Sequence, residues 1–294
     1  MSEILWILVI ALLAGAANAL IGSLLVLQRR VMLGDAISHS VLFGLVLAYL
    51  LSGSRDPLMM FGGAALIGLF SAWLTDLLHR LGRVQHDASI GVVFTFLFAL
   101  GVILIAGHAD QVDIDPDCVL HGELALTPFD TLHIGDTDIG PRAFWQLLGV
   151  TALLLLMLAV AYRPLHALTF SAVHAASLGI SVALWNTVLA VMASLTAVAS
   201  FDAVGAILVV AMMALPANTA LVFARSLQQM LIGAVLASAL AVLGGLALAA
   251  WLDASIAAAI VVAAGLLLAL ALALKAFLRR SSAAHRETPR SQSA

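Results

Sequence analysis

The chain has 294 residues, of which 63% are hydrophobic and only 10% are charged. A soluble domain usually carries about 25% charged residues, so this composition excludes an ordinary soluble protein. The net charge of -3 says little by itself, because the distribution of charge matters more than the sum. We expect no nucleic-acid partner. The single Cys118 excludes an internal disulfide and a cysteine zinc cluster.

Repeated apolar stretches predict an all-α fold, a polytopic bundle of eight or nine transmembrane helices surrounded by membrane lipid. We expect residues 1–280 to form one transmembrane domain and the tail 281–294 to be a disordered cytoplasmic segment. The first stretch has no basic leader and more spans follow it, which favours a retained helix over a cleaved signal peptide. The predicted spans are 4–27, 33–51, 58–78, 89–106, 143–161, 180–199, 203–224, 229–250 and 254–278.

The distribution of basic residues predicts the orientation of these spans. If the N-terminus lies outside and the nine spans alternate, only Arg55 and Arg142 of the 13 lysines and arginines fall on the outer side. This asymmetry predicts a multi-pass protein of a bacterial cytoplasmic (inner) membrane with a cytoplasmic C-terminus. An eight-span arrangement would move only the N-terminus to the inner side.

Asp35 and His39 are the first candidate functional residues. They lie four residues apart at the start of the second predicted span, so they share one face of a helix. Ionisable groups there are costly and suggest a function. A carboxylate and an imidazole suit Mn²⁺, Fe²⁺ or Zn²⁺ better than Ca²⁺ or Mg²⁺. The structural alternatives are a hydrogen-bonded helix histidine and an acid favoured by the helix dipole.

The topology places this pair just inside the cytoplasmic boundary, which is shallow for a site that an ion crosses. Either the helix begins earlier than predicted, or the first two spans are re-entrant. Because bound metal requires deprotonated ligands, uptake through such a site should weaken at low pH.

The loop 107–142 is the only long polar connection between spans, and it is rich in acids and histidines. Three interpretations stay open: it binds metal at the outer mouth, it contacts a partner, or it is solvated. Its spacing is not that of an EF-hand calcium site.

Two further segments carry signals. Within 162–179 we expect a short inner helix from about Ser171 to Leu178, capped by Thr169 or Ser171 and ended by Gly179. Such a helix either connects two spans or docks into another protein.

Pro216 should bend or break the span 203–224, either as a structural kink or as part of a moving element.

Three patches, taken together, resemble the membrane permeases of manganese, zinc and iron ABC importers, the ABC-3 metal permease family. They are Leu27–Gly44 with its Gly-Asp-Ala-Ile-Ser-His core, the segment ending Ala175–Ile180, and Val204–Ala220 from Val-Gly to Pro-Ala. The resemblance covers nearly the whole chain. Two departures from the family pattern are Ser171-Ala172 in place of an acid and proline, and Phe43 in place of proline.

The resemblance implies a transport subunit and not an enzyme, with manganese favoured and zinc or iron as the other transported ions, and with no permanently bound cofactor. It implies two copies of a separate ATP-binding subunit, an extracytoplasmic metal-binding protein, and a second permease copy or a sister permease. Asp35 and His39 would contact the metal. The segment 169–179 would couple to the ATPase, and Gly205 and Pro216 would form a kink or gate. The coupling residues named are Phe170, Ser171, Ala175, Leu178 and Gly179.

Three other functions were weighed. A gradient-driven secondary metal-cation transporter would carry more acids inside its spans than Asp35 and Asp76. An intramembrane hydrolase would need a nucleophile elbow such as Gly-x-Ser-x-Gly, which does not occur. A purely structural membrane subunit is the third. The chain contains no Gly-x-x-x-x-Gly-Lys-Ser/Thr motif, so ATP hydrolysis is expected in another chain.

Overall fold

The computed structural model describes residues 3–53, 57–82, 85–107, 124–134 and 137–284. Within these residues, nine helices are long and apolar enough to cross a membrane, which confirms the predicted polytopic bundle with nine spans. The elements in chain order are α1 (Glu3–Leu27), α2 (Met32–Ser52), α3 (Pro57–Gly82), α4 (His86–Gly107), a 3₁₀ turn (Thr127–Phe129), β1 (Thr131–Ile134), β2 (Thr137–Pro141), α5 (Arg142–Val160), α6 (Tyr162–Phe170), α7 (Ala172–Ser177), α8 (Val182–Val204), α9 (Ala206–Phe223), α10 (Leu227–Leu252) and α11 (Ile256–Ala284).

The described part of the loop 107–142 is folded. Strands β1 and β2 pair antiparallel as a hairpin, with Ile134 opposite Thr137. The hairpin lies beside the start of α1, where Trp6 packs edge-on against Phe144 with ring centroids 5.4 Å apart. We call this end of the bundle the hairpin end. The opposite end, which carries α6 and α7, is called the coupling end. The acids and histidines of 108–123 lie outside the described residues, so the three interpretations of this loop stay open.

The core forms around α1, α8 and α9. Buried residues of α1 contact α9, α10, α5 and α8, and they include Ile10, Ile21 and Leu24, which have no exposed surface. By contrast, α10 and α11 expose leucines along their outer faces, for example Leu236, 59% exposed, and Leu266, 63% exposed. An apolar outer surface of this kind is expected for helices that face lipid.

Two helices extend five or more residues beyond their predicted ends. Helix α8 does not end at residue 199 but continues to Val204, and the break comes at Gly205, which has φ +82°. Glycine adopts positive φ at little cost, so the chain turns sharply there. Helix α11 runs on through Ala284. The first residues of the predicted tail are therefore helical, and the rest of the tail lies outside the described residues.

Helix α9 is continuous from Ala206 to Phe223, so the helix is not broken at Pro216. Two polar side chains next to the proline bond to carbonyl groups of the same helix. The amide of Asn218 donates to Ala214 O at 2.8 Å, and the hydroxyl of Thr219 donates to Leu215 O at 2.8 Å. A transmembrane helix can tolerate proline where it packs against neighbouring helices, as α9 does against α1, α10 and α11.

Candidate metal transit site and coupling segment

A tight turn positions the start of α2. After α1 ends, Arg29 adopts φ +58°, and the N–H of Arg30 donates to Leu25 O at 2.8 Å. The guanidinium of Arg30 then pairs with the carboxylate of Asp76 on α3 at 3.2 Å. Asp76 lies six residues before the end of α3, which corresponds to about 9 Å along a helix. The turn is therefore recessed from the coupling end of the bundle.

The residues next to Asp35 show its depth. Gly34 lies against the sulfur of Met213, which is near the middle of α9. One turn further along α2, Ile37 approaches Gly68, and Gly68 also approaches Ser194 near the middle of α8. The start of α2 is thus at the mid-height of the bundle. Relative to the other helices, the pair lies deeper than the sequence indicates, because the recessed turn begins α2 inside the bundle.

The two predicted site residues contact each other. Nε2 of His39 lies 3.3 Å from Oδ1 of Asp35, one helical turn away. Their side chains are 33% and 28% exposed, so both are accessible from one side of the chain. Among the described residues, no group of three or more His, Cys, Asp or Glu side chains could hold a metal ion. The pair therefore offers two donors, and the remaining ligands of an ion would have to come from elsewhere.

Two aromatic rings pack on His39. The ring of Phe94 is stacked on the imidazole with centroids 5.4 Å apart, and Phe98 meets it edge-on at 6.1 Å. Both phenylalanines belong to α4 and lie four residues apart, so they share one face. The sequence analysis did not identify them. Their spacing was visible in the sequence, but nothing there showed which helix they face.

Close backbone contacts hold α2 between α3 and α4. A methyl group at Gly44 would lie 2.8 Å from the Cα of Ala64 on α3. A methyl group at Gly101 on α4 would lie 3.0 Å from the backbone nitrogen of Phe43. Only glycine permits such an approach, as at the small-residue contacts of other membrane helices. These contacts fix the height of α4 relative to α2, and so place its rings at His39.

The predicted short helix is present as α7 at the coupling end. The hydroxyl of Ser171 accepts the N–H of His174 at 3.2 Å, so Ser171 is the N-cap. Thr169, the other predicted cap, lies inside α6 and bonds to Leu165 O. At the C-terminus, Gly179 has φ +78°, with bonds from Ile180 N to Ala175 O and from Gly179 N to Ala176 O. This is a Schellman motif, which accounts for the glycine.

The five residues predicted to couple to the ATPase occupy different environments. Phe170 and Leu178 are 59% and 60% exposed, whereas Ala175 is fully buried. Val173, which the sequence analysis did not select, is the most exposed at 82%. Together, Phe170, Val173 and Leu178 form an apolar patch that we call the coupling patch. Ser171 and Gly179 shape the helix that carries it.

Comparison with known proteins identifies the family. The profile described as "ABC 3 transport family" matches residues 1–275. The chain is 45% identical over 260 residues to the manganese transport system membrane protein MntD of Bacillus subtilis (strain 168), covering 88% of each chain. It is 42% identical over 264 residues to the zinc transport system membrane protein TroD of Treponema pallidum (strain Nichols), covering 90% of this chain and 72% of TroD.

A solved structure agrees with these sequence relatives. PsaBC from Streptococcus pneumoniae in complex with Fab superposes with a TM-score of 0.75 and 26% identity, covering 92% of this chain and 91% of that chain. The fold, the sequence profile and the close relatives all agree with the resemblance carried by the three sequence patches. The chain is therefore a member of the ABC 3 transport family.

Proposed function

We propose that this chain is the membrane permease of an ABC importer that moves a divalent transition-metal ion, with manganese favoured over zinc and iron. Family membership and relatives named for manganese and zinc transport support this function. Manganese is favoured because MntD is more similar than TroD, and a third relative, MntC of Halalkalibacterium halodurans, is also named for manganese. The same membership argues against the gradient-driven transporter.

The observation that carries the site is the contact between Asp35 and His39 at the mid-height of the bundle. A hard carboxylate oxygen and a borderline imidazole nitrogen suit Mn²⁺, Fe²⁺ and Zn²⁺. Two donors from this chain and two from a second permease copy, or from a sister permease, would complete four ligands. A site shared between two chains can also release its ion when the chains move apart, as transport requires.

The remaining partners follow from the same proposal. Two copies of an ATP-binding subunit would dock at the coupling patch, which has the uncovered apolar side chains expected of a contact surface. An extracytoplasmic metal-binding protein would deliver the ion at the hairpin end. In this orientation the C-terminus is cytoplasmic, in agreement with the distribution of arginines.

The test is metal accumulation in cells that lack their own importer and express the complete transporter. We expect Asp35→Ala and His39→Ala each to reduce manganese uptake at least about tenfold, because each removes a metal ligand from the proposed site. Asp87→Ala is the matched control, since Asp87 is an exposed acid in the first turn of α4. The proposed site is wrong if both site variants accumulate manganese like the control.

Parallel uptake of zinc and iron identifies the transported ion. We expect manganese to accumulate most at equal external concentrations, and the site variants to lose every ion that the wild type carries. Preferred accumulation of zinc would reassign the ion while leaving the permease function intact.

A further inference from the structure

We propose that Phe94 and Phe98 are positioning residues that hold the His39 imidazole for metal and stabilise the ion-bound ring. This inference rests on the proposed function of His39 and adds two residues from a different helix. The rings enclose the imidazole on two sides, one stacked and one edge-on. We call this pair the aromatic clamp.

The packing of the two rings restricts the orientation of the His39 imidazole. His39 projects from α2 and has Asp35 as its polar contact at 3.3 Å. Without packing around it, an imidazole that is one-third exposed would sample several rotamers, and a metal would have to order it on binding. The stacked ring of Phe94 restricts the plane of the imidazole, and the edge of Phe98 restricts its tilt. Holding a ligand in its bound orientation reduces the ordering cost of binding.

The aromatic rings also attract the positive charge of a metal-bound imidazole. An imidazole that donates its nitrogen lone pair to a divalent cation becomes electron-poor and carries part of the positive charge. The face of a phenylalanine ring carries negative quadrupole density, and it attracts cationic groups within about 6 Å. The centroid of Phe94 is within this distance at 5.4 Å, whereas that of Phe98 lies beyond it at 6.1 Å. Phe94 should therefore affect metal affinity more than Phe98.

The packing of α4 against α2 fixes the aromatic clamp in place. The close approach of Gly101 to Phe43 sets the height of α4 against α2, just beyond His39. Phe94 and Phe98 are only partly exposed, whereas Phe96 between them is 55% exposed and belongs to another face of α4. This difference provides a control on the same helix, with the same residue type and nearly the same depth.

The experiment measures Mn²⁺ binding to the purified, detergent-solubilised transporter complex from the electron paramagnetic resonance signal of free Mn²⁺. Phe94→Leu should raise the apparent Kd about three- to tenfold, and Phe98→Leu about twofold, with no change in the melting temperature. Phe96→Leu should leave the Kd unchanged. Phe94→Tyr keeps the aromatic face and should bind like the wild type, whereas Phe94→Leu keeps an apolar side chain without that face.

His39→Ala separates the two proposals. If His39→Ala weakens Mn²⁺ binding while Phe94→Leu and Phe98→Leu match Phe96→Leu, the aromatic clamp is wrong and the transit site stands. If His39→Ala also binds like the wild type, both proposals fail. If Phe94→Leu weakens Mn²⁺ binding and Phe94→Tyr weakens it equally, the aromatic role is likewise wrong.

Discussion

The start of α2 and the segment α6–α7 both follow the end of a long helix, but the first is buried within the bundle and the second is exposed. At the start of α2, Met213 is almost fully buried, with its backbone against Gly22 of α1 and its sulfur against Gly34. At the coupling end, Val173 and Leu178 are left uncovered. Contacts within the chain fix the first region, whereas the second has apolar surface that only another molecule can cover.

The difference separates two kinds of functional residue. A ligand such as His39 must hold its position, so backbones approach closely around it and rings pack on it. A docking surface must be reachable, so its side chains stay exposed while a cap and a Schellman motif fix the short helix beneath them. Variants in the two regions should accordingly fail in different ways.

The largest effect on folding is expected at Gly22. The methyl group of alanine there would overlap the carbonyl oxygen of Met213, which is backbone and cannot move aside independently. Gly22→Ala should lower the free energy of unfolding by about 2–3 kcal/mol, because overpacking forces α1 away from α9. Gly149→Ala on α5 is the control, since nothing lies within 4 Å of its added methyl group. Thermal unfolding in detergent measures both, and equal melting temperatures would contradict the close packing.

A loss of partner binding without a loss of stability is expected at the coupling patch. Val173→Ala and Phe170→Ala should each weaken binding of the ATP-binding subunit up to about tenfold, because exposed apolar side chains at an interface can contribute about 1 kcal/mol or more. The melting temperature of the permease should not change. Val160→Ala is the matched control: Val160 is 79% exposed but lies at the end of α5. Titration of the ATP-binding subunit against the solubilised permease measures the effect. Equal affinity of Val173→Ala and Val160→Ala would place the docking surface elsewhere.

The smallest effect is expected at the ion pair between Arg30, in the turn before α2, and Asp76 on α3. Arg30 and Asp76 are 24% and 30% exposed, so solvent screens part of their attraction. A double-mutant cycle with Arg30→Gln and Asp76→Asn should give a coupling energy of about 0.5–1 kcal/mol in unfolding experiments. The coupling should shrink as salt is added. If the changes in the free energy of unfolding of the two single variants simply add up in the double variant, the pair does not hold the turn against α3.

Much of the molecule follows from the sequence alone. Nine apolar stretches of sufficient length predict nine helices because a lipid environment leaves the backbone few alternatives to a helix. The contact between Asp35 and His39 follows from their spacing of one helical turn. Ser171 begins the short helix α7 and Gly179 ends it by local chemistry, so their roles could be predicted without knowledge of the fold.

The tertiary structure decided what depends on residues distant in the chain. The depth of Asp35 comes from the recessed turn at Arg30 and from Met213 on α9, and neither contact leaves a periodic signal. The helix break lies at Gly205, one of the two predicted kink residues, whereas α9 passes through Pro216 unbroken because its packing against neighbouring helices supports it. The rings of Phe94 and Phe98 reach His39 only because Gly101 brings α4 against α2. Sequence periodicity gives the faces of a helix, but only packing between helices determines which faces meet, and at what height.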